Sequence, residues 1–191
     1  MSRPLFPRAS MRFIIVAMLV LAFSATAAAQ TWGEFYLHDD TRYWWFRDSD
    51  RVFEVALPAN PEYVVQRDLF GERSLELAVG DGAVYFQIAR FTGGEDETER
   101  ARQAITGRWQ HALRDVKVTE NRTIRTNKNL DARFTVIQGG TADGKTAMVR
   151  TVLFTTGTNS AYLVWTGLAA EYTGAWHQAW IEAVNSFSWL R

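Results

Sequence analysis

A histidine followed by two aspartates is the first feature of this sequence that could do chemistry. His38, Asp39 and Asp40 offer three consecutive oxygen or nitrogen ligands, which suggests a metal site. Adjacent residues of a strand point to opposite faces, however, and no second His/Asp cluster with ligand spacing is evident. We therefore interpret the run as a solvated turn and expect no bound metal.

Catalytic motifs are missing from the rest of the chain. His111 lies in a predicted helix with no obvious carboxylate or serine partner, and His177 falls outside the apolar stripe of the last helix. The sequence contains no G-x-S-x-G elbow, H-E-x-x-H motif, P-loop or glycine-rich dinucleotide turn. The absence of cysteine removes disulfides, thiolate ligands, a cysteine nucleophile and a lipoprotein anchor. We expect a non-enzyme without a cofactor, and a hydrolase whose site is assembled from distant positions is the weaker alternative.

Three consecutive aromatic residues are the candidate partner-binding site. Tyr43, Trp44 and Trp45 precede Phe46 in a stretch that lacks sustained periodicity. Trp and Tyr are enriched among the residues that dominate protein interfaces, which favours an exposed recognition patch. The alternative is that these side chains fill the core or a strand.

The first 29 residues have the three parts of a secretory signal peptide. An apolar run over 13–23 follows the basic residues and leads into small residues. The basic residues are Arg3, Arg8 and Arg12. Ala27 and Ala29 satisfy the small-x-small rule, so we predict cleavage between Ala29 and Gln30, with cleavage after Ala27 or an uncleaved anchor as alternatives. The expected destination is the periplasm or the exterior, with no stable membrane anchor after cleavage.

Charge argues against a nucleic-acid partner. The chain has 21 basic and 21 acidic residues, and removing the three leader arginines leaves 18 basic residues against 21 acidic ones. A slightly acidic mature chain is not typical of a nucleic-acid binder. A loose basic region is predicted to be a solvated sheet edge; it comprises Arg122, Arg125, Lys128 and Arg133.

Residues 72–113 carry the clearest structural pattern. Apolar residues alternate along two arms that meet at Asp81-Gly82, a pair that favours a two-residue hairpin turn. The alternating residues are Leu75, Leu77, Val79, Val84, Phe86 and Ile88. A capping box from Asp96 to Glu99 and helical apolar spacing then predict a helix. Gly107 weakens this helix, so we expect another part of the protein to approach closely at Gly107.

The remaining elements predict an α+β domain. Expected strands cover 52–58, 63–65, 116–124 (near an edge), 130–138, 145–154 after a turn at Asp143-Gly144, and 161–165. The last two are nearly continuous apolar runs, which suits the middle of a sheet. A final helix carries one apolar face through Trp180. We divide the chain into the signal peptide 1–29, an aromatic-rich N-terminal extension 30–50 and a single domain 51–191.

The order of elements resembles the PsbP-like superfamily. The matching features are Phe53-x-Val55-x-x-Pro58 opening a strand, then a hairpin, a helix, three strands and a final helix ending in Ser186-Phe187. The resemblance covers roughly 50–189 and implies a central antiparallel sheet flanked by helices, a PsbP-like α/β/α sandwich. It also implies a binding or assembly role without catalysis, and it transfers no functional residue. Members include a lumenal accessory protein of photosystem II, a Ran-binding protein and exported bacterial proteins; the absence of cysteine departs from those anchored by lipid.

These features together predict an exported, non-catalytic module that binds a protein partner or helps to assemble a complex of the cell envelope. The alternative is a periplasmic small-molecule binder with an aromatic-lined cavity between helix and sheet.

Overall fold

The computed structural model describes residues 33–37, 42–69, 72–92, 99, 103, 107–109 and 111–190. The predicted signal peptide, the Ala29–Gln30 cleavage site, the run His38–Asp40 and the predicted N-cap Asp96 lie outside the described residues. In the described part of the chain, no helix is long and apolar enough to span a bilayer.

The described strands form two antiparallel sheets. In chain order they are β1 (Gly33–Leu37), β2 (Tyr43–Asp48), β3 (Phe53–Pro58), β4 (Tyr63–Leu69), β5 (Glu72–Val79), β6 (Val84–Thr92), β7 (Arg114–Arg125), β8 (Asp131–Gly140), β9 (Thr146–Thr156), β10 (Asn159–Leu168) and β11 (Ser188–Trp189). The large sheet has the order β4-β5-β6-β10-β9-β8-β7, and the small sheet has the order β1-β2-β3-β11. A 3-10 turn (Ala169–Glu171) and the C-terminal helix (Gly174–Ser186) follow β10.

The hairpin between β5 and β6 turns where the sequence predicts it. The carbonyl of Gly80 accepts a hydrogen bond from the amide of Ala83 at 3.1 Å. The two residues between them have positive φ, 58° at Asp81 and 69° at Gly82, as a two-residue hairpin turn requires. The predicted turn is therefore confirmed.

The strand positions inside the large sheet also agree with the sequence pattern. The apolar strand β10 lies between β6 and β9, and the polar strand β7 forms an edge. Continuous apolar runs suit β9 and β10 because both faces of these strands are covered.

The main core fills the space between the inner face of the large sheet and a layer made by the small sheet and the C-terminal helix. Phe154 of β9 stacks on Phe187, which follows the helix, with ring centroids 3.9 Å apart. Trp180 of the helix is only 1% exposed. The edge of β3 is closed by this same helix end, because Ser186 Oγ accepts a hydrogen bond from the amide of Ala56 at 2.9 Å.

Residues 99, 103, 107–109, 111 and 112 are the described helical residues between β6 and β7, and one of them, Trp109, packs on the outer face of the large sheet. Trp109 packs on two groups of sheet residues. These are Ala89, Leu153 and Tyr162 in the first group and Ile137, Val149 and Val164 in the second. A Cβ added to Gly107 would have no described neighbour within 4 Å, so none of the described residues is the close neighbour expected there.

The predicted sandwich with flanking helices overstates the helices. The central antiparallel sheet is present, but a second sheet shares one of its faces with a single helix. The reason lies in the aromatic residues before position 51, which form β1 and β2 and pair with β3. Tyr, Trp and Phe favour strands, so this segment builds a sheet layer. The domain boundary at residue 50 stays a prediction.

Candidate functional site

The candidate residues Tyr43, Trp44 and Trp45 are all half-buried on β2, but they do not share one face. Tyr43 packs against the main core. Trp44 lies edge-on to Phe35 of β1, with ring centroids 5.6 Å apart. Trp45 lies on the opposite face, stacked on Tyr36 at 6.3 Å. The structure therefore separates the predicted patch, and the role of these residues in partner binding stays a prediction.

Trp45 belongs to a group of side chains on the outer face of the small sheet, which we call the outer-face cluster. Its members are Tyr36 of β1, Trp45 and Arg47 of β2, Glu54 of β3 and Lys128 of the loop between β7 and β8. The strand register brings them together, because Tyr36 opposes Trp45 and Arg47 opposes Glu54. Residues far apart in sequence thus form one surface.

Hydrogen bonds fix the polar half of the outer-face cluster. The Tyr36 hydroxyl donates to Glu54 Oε2 at 2.7 Å. Arg47 Nη2 donates to the same Glu54 oxygen at 2.9 Å and to the Tyr36 hydroxyl at 3.2 Å. The guanidinium carbon of Arg47 also lies 4.6 Å from the centre of the Tyr36 ring. The three side chains therefore hold one another in a single arrangement.

The same contacts shift the ionisation of the cluster. Partial burial and the Glu54 carboxylate raise the pKa of Tyr36, so its hydroxyl stays a donor. Burial acts to raise the pKa of Glu54, but the hydrogen bonds from Tyr36 and Arg47 outweigh it and lower that pKa. The lowered pKa keeps Glu54 ionised, so its carboxylate remains an acceptor for Tyr36 and Arg47.

Lys128 completes the cluster from a distant loop. Its ammonium donates to the carbonyl of Ser186 at 2.7 Å and to the Ser188 hydroxyl. From that position Nζ lies 5.6 Å from the centre of the Trp45 ring, within the range of a cation–π contact. Trp45 is therefore flanked by Tyr36 on β1 and by a lysine anchored to the C-terminal end of the helix.

A shallow apolar depression of about 220 Å³ lies beside this cluster. Phe35, Tyr36, Leu37 and Trp44 line it. It is smaller than the roughly 300–1,000 Å³ of typical small-molecule pockets. It also lies at the end of the β1–β2 pair, away from the helix–sheet layer where the sequence predicted a cavity.

The remaining sequence candidates do not assemble into a site. Among the described residues, no three His, Asp, Glu or Cys side chains could together hold a metal ion. His111 is exposed, and His177 lies edge-on to Tyr172 at 5.2 Å. The predicted basic region is split, because Arg122 and Arg133 lie on opposite faces of the sheet while Lys128 joins the outer-face cluster.

Sequence reasoning missed Tyr36, Arg47 and Glu54 as a unit. Their proximity depends on β1 pairing with β2, and the predicted extension was given no strands. The signal that could have revealed it is the aromatic composition of 33–37 and 43–48, which favours strands on both sides of a short connection.

The two sheets and the C-terminal helix define a PsbP-like fold, which confirms the resemblance found in the sequence. The solution structure of cyanobacterial PsbP from Synechocystis matches with a TM-score of 0.52 and 8% identity, covering 88% of this chain and 99% of that chain. At this identity the match shows the fold alone.

Two further solved structures are similar over part of the chain. A protein of unknown function from Pseudomonas aeruginosa is 20% identical, with a TM-score of 0.40 over 78% of this chain and 94% of that chain. A crystal structure from Bacteroides thetaiotaomicron is 12% identical, with a TM-score of 0.49 over 77% of this chain, which spans 48% of that chain. No protein-family model matches the sequence, and no curated protein matches it.

Proposed function

We propose that this chain is an exported, non-catalytic binding or assembly module of the bacterial envelope, and that it contacts a protein partner through the outer-face cluster. The observation that carries the proposal is the setting of Trp45, which is half-buried between Tyr36 and Lys128. Trp, Tyr and Arg dominate the energetics of protein interfaces when they are held in place before binding. The Tyr36–Arg47–Glu54 hydrogen bonds supply that order.

Export is supported by the predicted signal peptide at 1–29. N-terminal sequencing of the exported protein tests this part of the proposal, and we expect the mature chain to begin at Gln30. A start at residue 1 would show that the leader is retained as an anchor.

Site-specific photo-crosslinking tests the partner. A benzophenone side chain replaces Trp45 in one variant and Val118, an exposed residue of the edge strand β7, in a matched control. After irradiation in the intact envelope, we expect one discrete crosslinked protein from position 45 and none from position 118. The same product from both positions, or none from position 45, would contradict the proposed surface.

A binding assay with the crosslinked protein then measures the contribution of the cluster. Trp45→Ala should weaken binding by about 2 kcal/mol or more if this residue is central to the interface. The control is Arg133→Ala, which removes an exposed arginine on the outer face of the large sheet and should have little effect. Turnover of an ester, glycoside or phosphate by the purified protein, abolished by one His or acid substitution, would instead favour the hydrolase alternative.

A further inference from the structure

Arg150 occupies an unusual position on β9, on the inner face of the large sheet. The carbon at the centre of its guanidinium lies 4.8 Å from the centre of the Phe134 ring and 4.2 Å from that of the Tyr172 ring. Phe134 comes from β8, and Tyr172 precedes the C-terminal helix. The guanidinium is therefore in contact with two aromatic rings from separate elements.

This arginine has no acidic partner among the described residues. The neighbouring charges are Glu120 and Arg122. These two residues pair with each other, with Arg122 Nε 3.3 Å from Glu120 Oε2. Partial burial lowers the pKa of Arg150 because water is removed from its charge. A partly buried arginine is normally paired with a carboxylate or a phosphate, so its positive charge lacks the usual compensation.

Three buried polar atoms around Arg150 also lack hydrogen-bond partners in the described part of the chain. They are Arg150 Nε, the Tyr172 hydroxyl and Trp165 Nε1. Trp165 is 0% exposed, and its ring lies edge-on to Tyr172 with centroids 4.9 Å apart. Two of these atoms are N–H donors and the third is a hydroxyl, so a group rich in acceptors would satisfy them.

We propose that Arg150, with Tyr172 and Trp165, forms a binding site for an oxyanion, the carboxylate or phosphate group of a small ligand. A guanidinium held between two aromatic rings has restricted movement, which favours directed hydrogen bonds from its planar donors to such a group. The site lies on the large sheet, apart from the outer-face cluster, so the proposal is independent of the proposed protein partner.

Nuclear magnetic resonance of the arginine side chains tests the site directly. The full mature chain is titrated with sodium phosphate in one series and with sodium acetate in another, while sodium chloride keeps the ionic strength constant. We expect a saturable shift of the Arg150 Nε–Hε resonance in at least one series, and the series that saturates first identifies the preferred oxyanion. No saturable shift with either ion would overturn the proposal.

Variants separate binding from structure. Arg150→Lys keeps the positive charge but loses the planar donors, and we expect roughly tenfold weaker binding, followed through the Trp165 Nε1–H resonance because this variant has no Arg150 signal. Tyr172→Phe keeps the ring and removes only the hydroxyl, and we expect a severalfold loss. The matched control is Arg133→Gln, which alters an exposed arginine on the opposite face of the same sheet and should leave the affinity within about twofold.

Two results with these variants would contradict the proposed oxyanion site. If Arg133→Gln weakened binding as much as Arg150→Lys, the ion would be attracted by general positive charge, and the assigned site would be wrong. If Arg150→Lys and Tyr172→Phe both bound like the wild type, the unpartnered atoms would have no part in binding, and the proposal would also fail.

Discussion

The carboxylate of Asp48, at the end of β2 in the small sheet, is wholly buried and pairs with the guanidinium of Arg90 on β6 of the large sheet. Asp48 Oδ1 also accepts hydrogen bonds from the amides of Val52 and Phe53, at 2.6 and 3.4 Å. Asp50 reaches the same arginine, with its Oδ2 2.8 Å from Nη1. One buried ion pair thus joins the two sheets and orders the turn between β2 and β3.

Removing one member of this pair should destabilise the fold strongly. Asp48→Ala leaves the largely buried Arg90 with only the half-exposed Asp50 as partner and removes the acceptor of two backbone amides, so we expect the free energy of unfolding to fall by about 3–5 kcal/mol. Urea denaturation measures the change. The control is Asp131→Ala, because the pair of Asp131 with Arg125 is long, 4.0 Å, and largely exposed. That variant should lose less than about 1 kcal/mol, and similar losses in both would contradict the structural role of Asp48.

Trp180 should be among the largest single contributors to the core. It is 1% exposed beneath the C-terminal helix, and its neighbour Ile181 is 36% exposed. Truncation of a buried Trp to Ala costs about 3–5 kcal/mol, so Trp180→Ala should lower the denaturation midpoint sharply. Ile181→Ala, on the same helix, should change the free energy of unfolding by less than about 1 kcal/mol. Equal losses in the free energy of unfolding would show that the helix does not bury Trp180 against the sheet while leaving Ile181 exposed.

Two glycines should respond oppositely to the addition of one methyl group. Gly107 is helical, and an added Cβ would meet nothing described within 4 Å, so Gly107→Ala should stabilise the protein by about 0.5–1 kcal/mol. Gly80 has φ of +66°, and an added Cβ would lie 2.6 Å from Cζ2 of Trp176. Gly80→Ala should therefore destabilise it by about 1–3 kcal/mol. Thermal denaturation measured by circular dichroism distinguishes the two signs, and loss of stability in Gly107→Ala would contradict the open space seen there.

Acid should weaken the outer-face cluster through Glu54. The folded state lowers the pKa of this carboxyl below its ordinary value of 4.5, so its ionised form stabilises the fold above that pH. The contribution is lost as the pH falls below 4.5 and through the folded pKa. Its side chain is only 18% exposed, so solvent screens the interaction partly.

Glu54→Gln isolates this contribution. We expect the variant to be less stable than the wild type at pH 7 and the difference to shrink on acidification, as measured by urea denaturation across the pH range. Other carboxyls, including Asp50, also titrate in this range, so only the difference between the two proteins is diagnostic. A constant difference at every pH would show that the charge of Glu54 does not stabilise the fold.

Local sequence patterns determined much of the architecture. Alternation along 72–79 and 84–92, with Asp81-Gly82 between them, defined a hairpin because turn chemistry and the two-residue period are local properties. Apolar runs identified the strands that lie inside the sheet for the same reason. The sequence alone also provided the signal-peptide prediction and the PsbP-like resemblance.

Tertiary structure alone decided the sites. Trp45 meets Tyr36 and Lys128, and Arg150 meets Phe134 and Tyr172, only after strands and loops distant in sequence become neighbours. Periodicity predicts which face of a strand is buried, but it does not encode which other strand will pair with it. The second sheet was missed because the aromatic composition of residues 33–48 favours strands without specifying their partner, while the stability of this sheet comes from pairing with β3 and from the shared core.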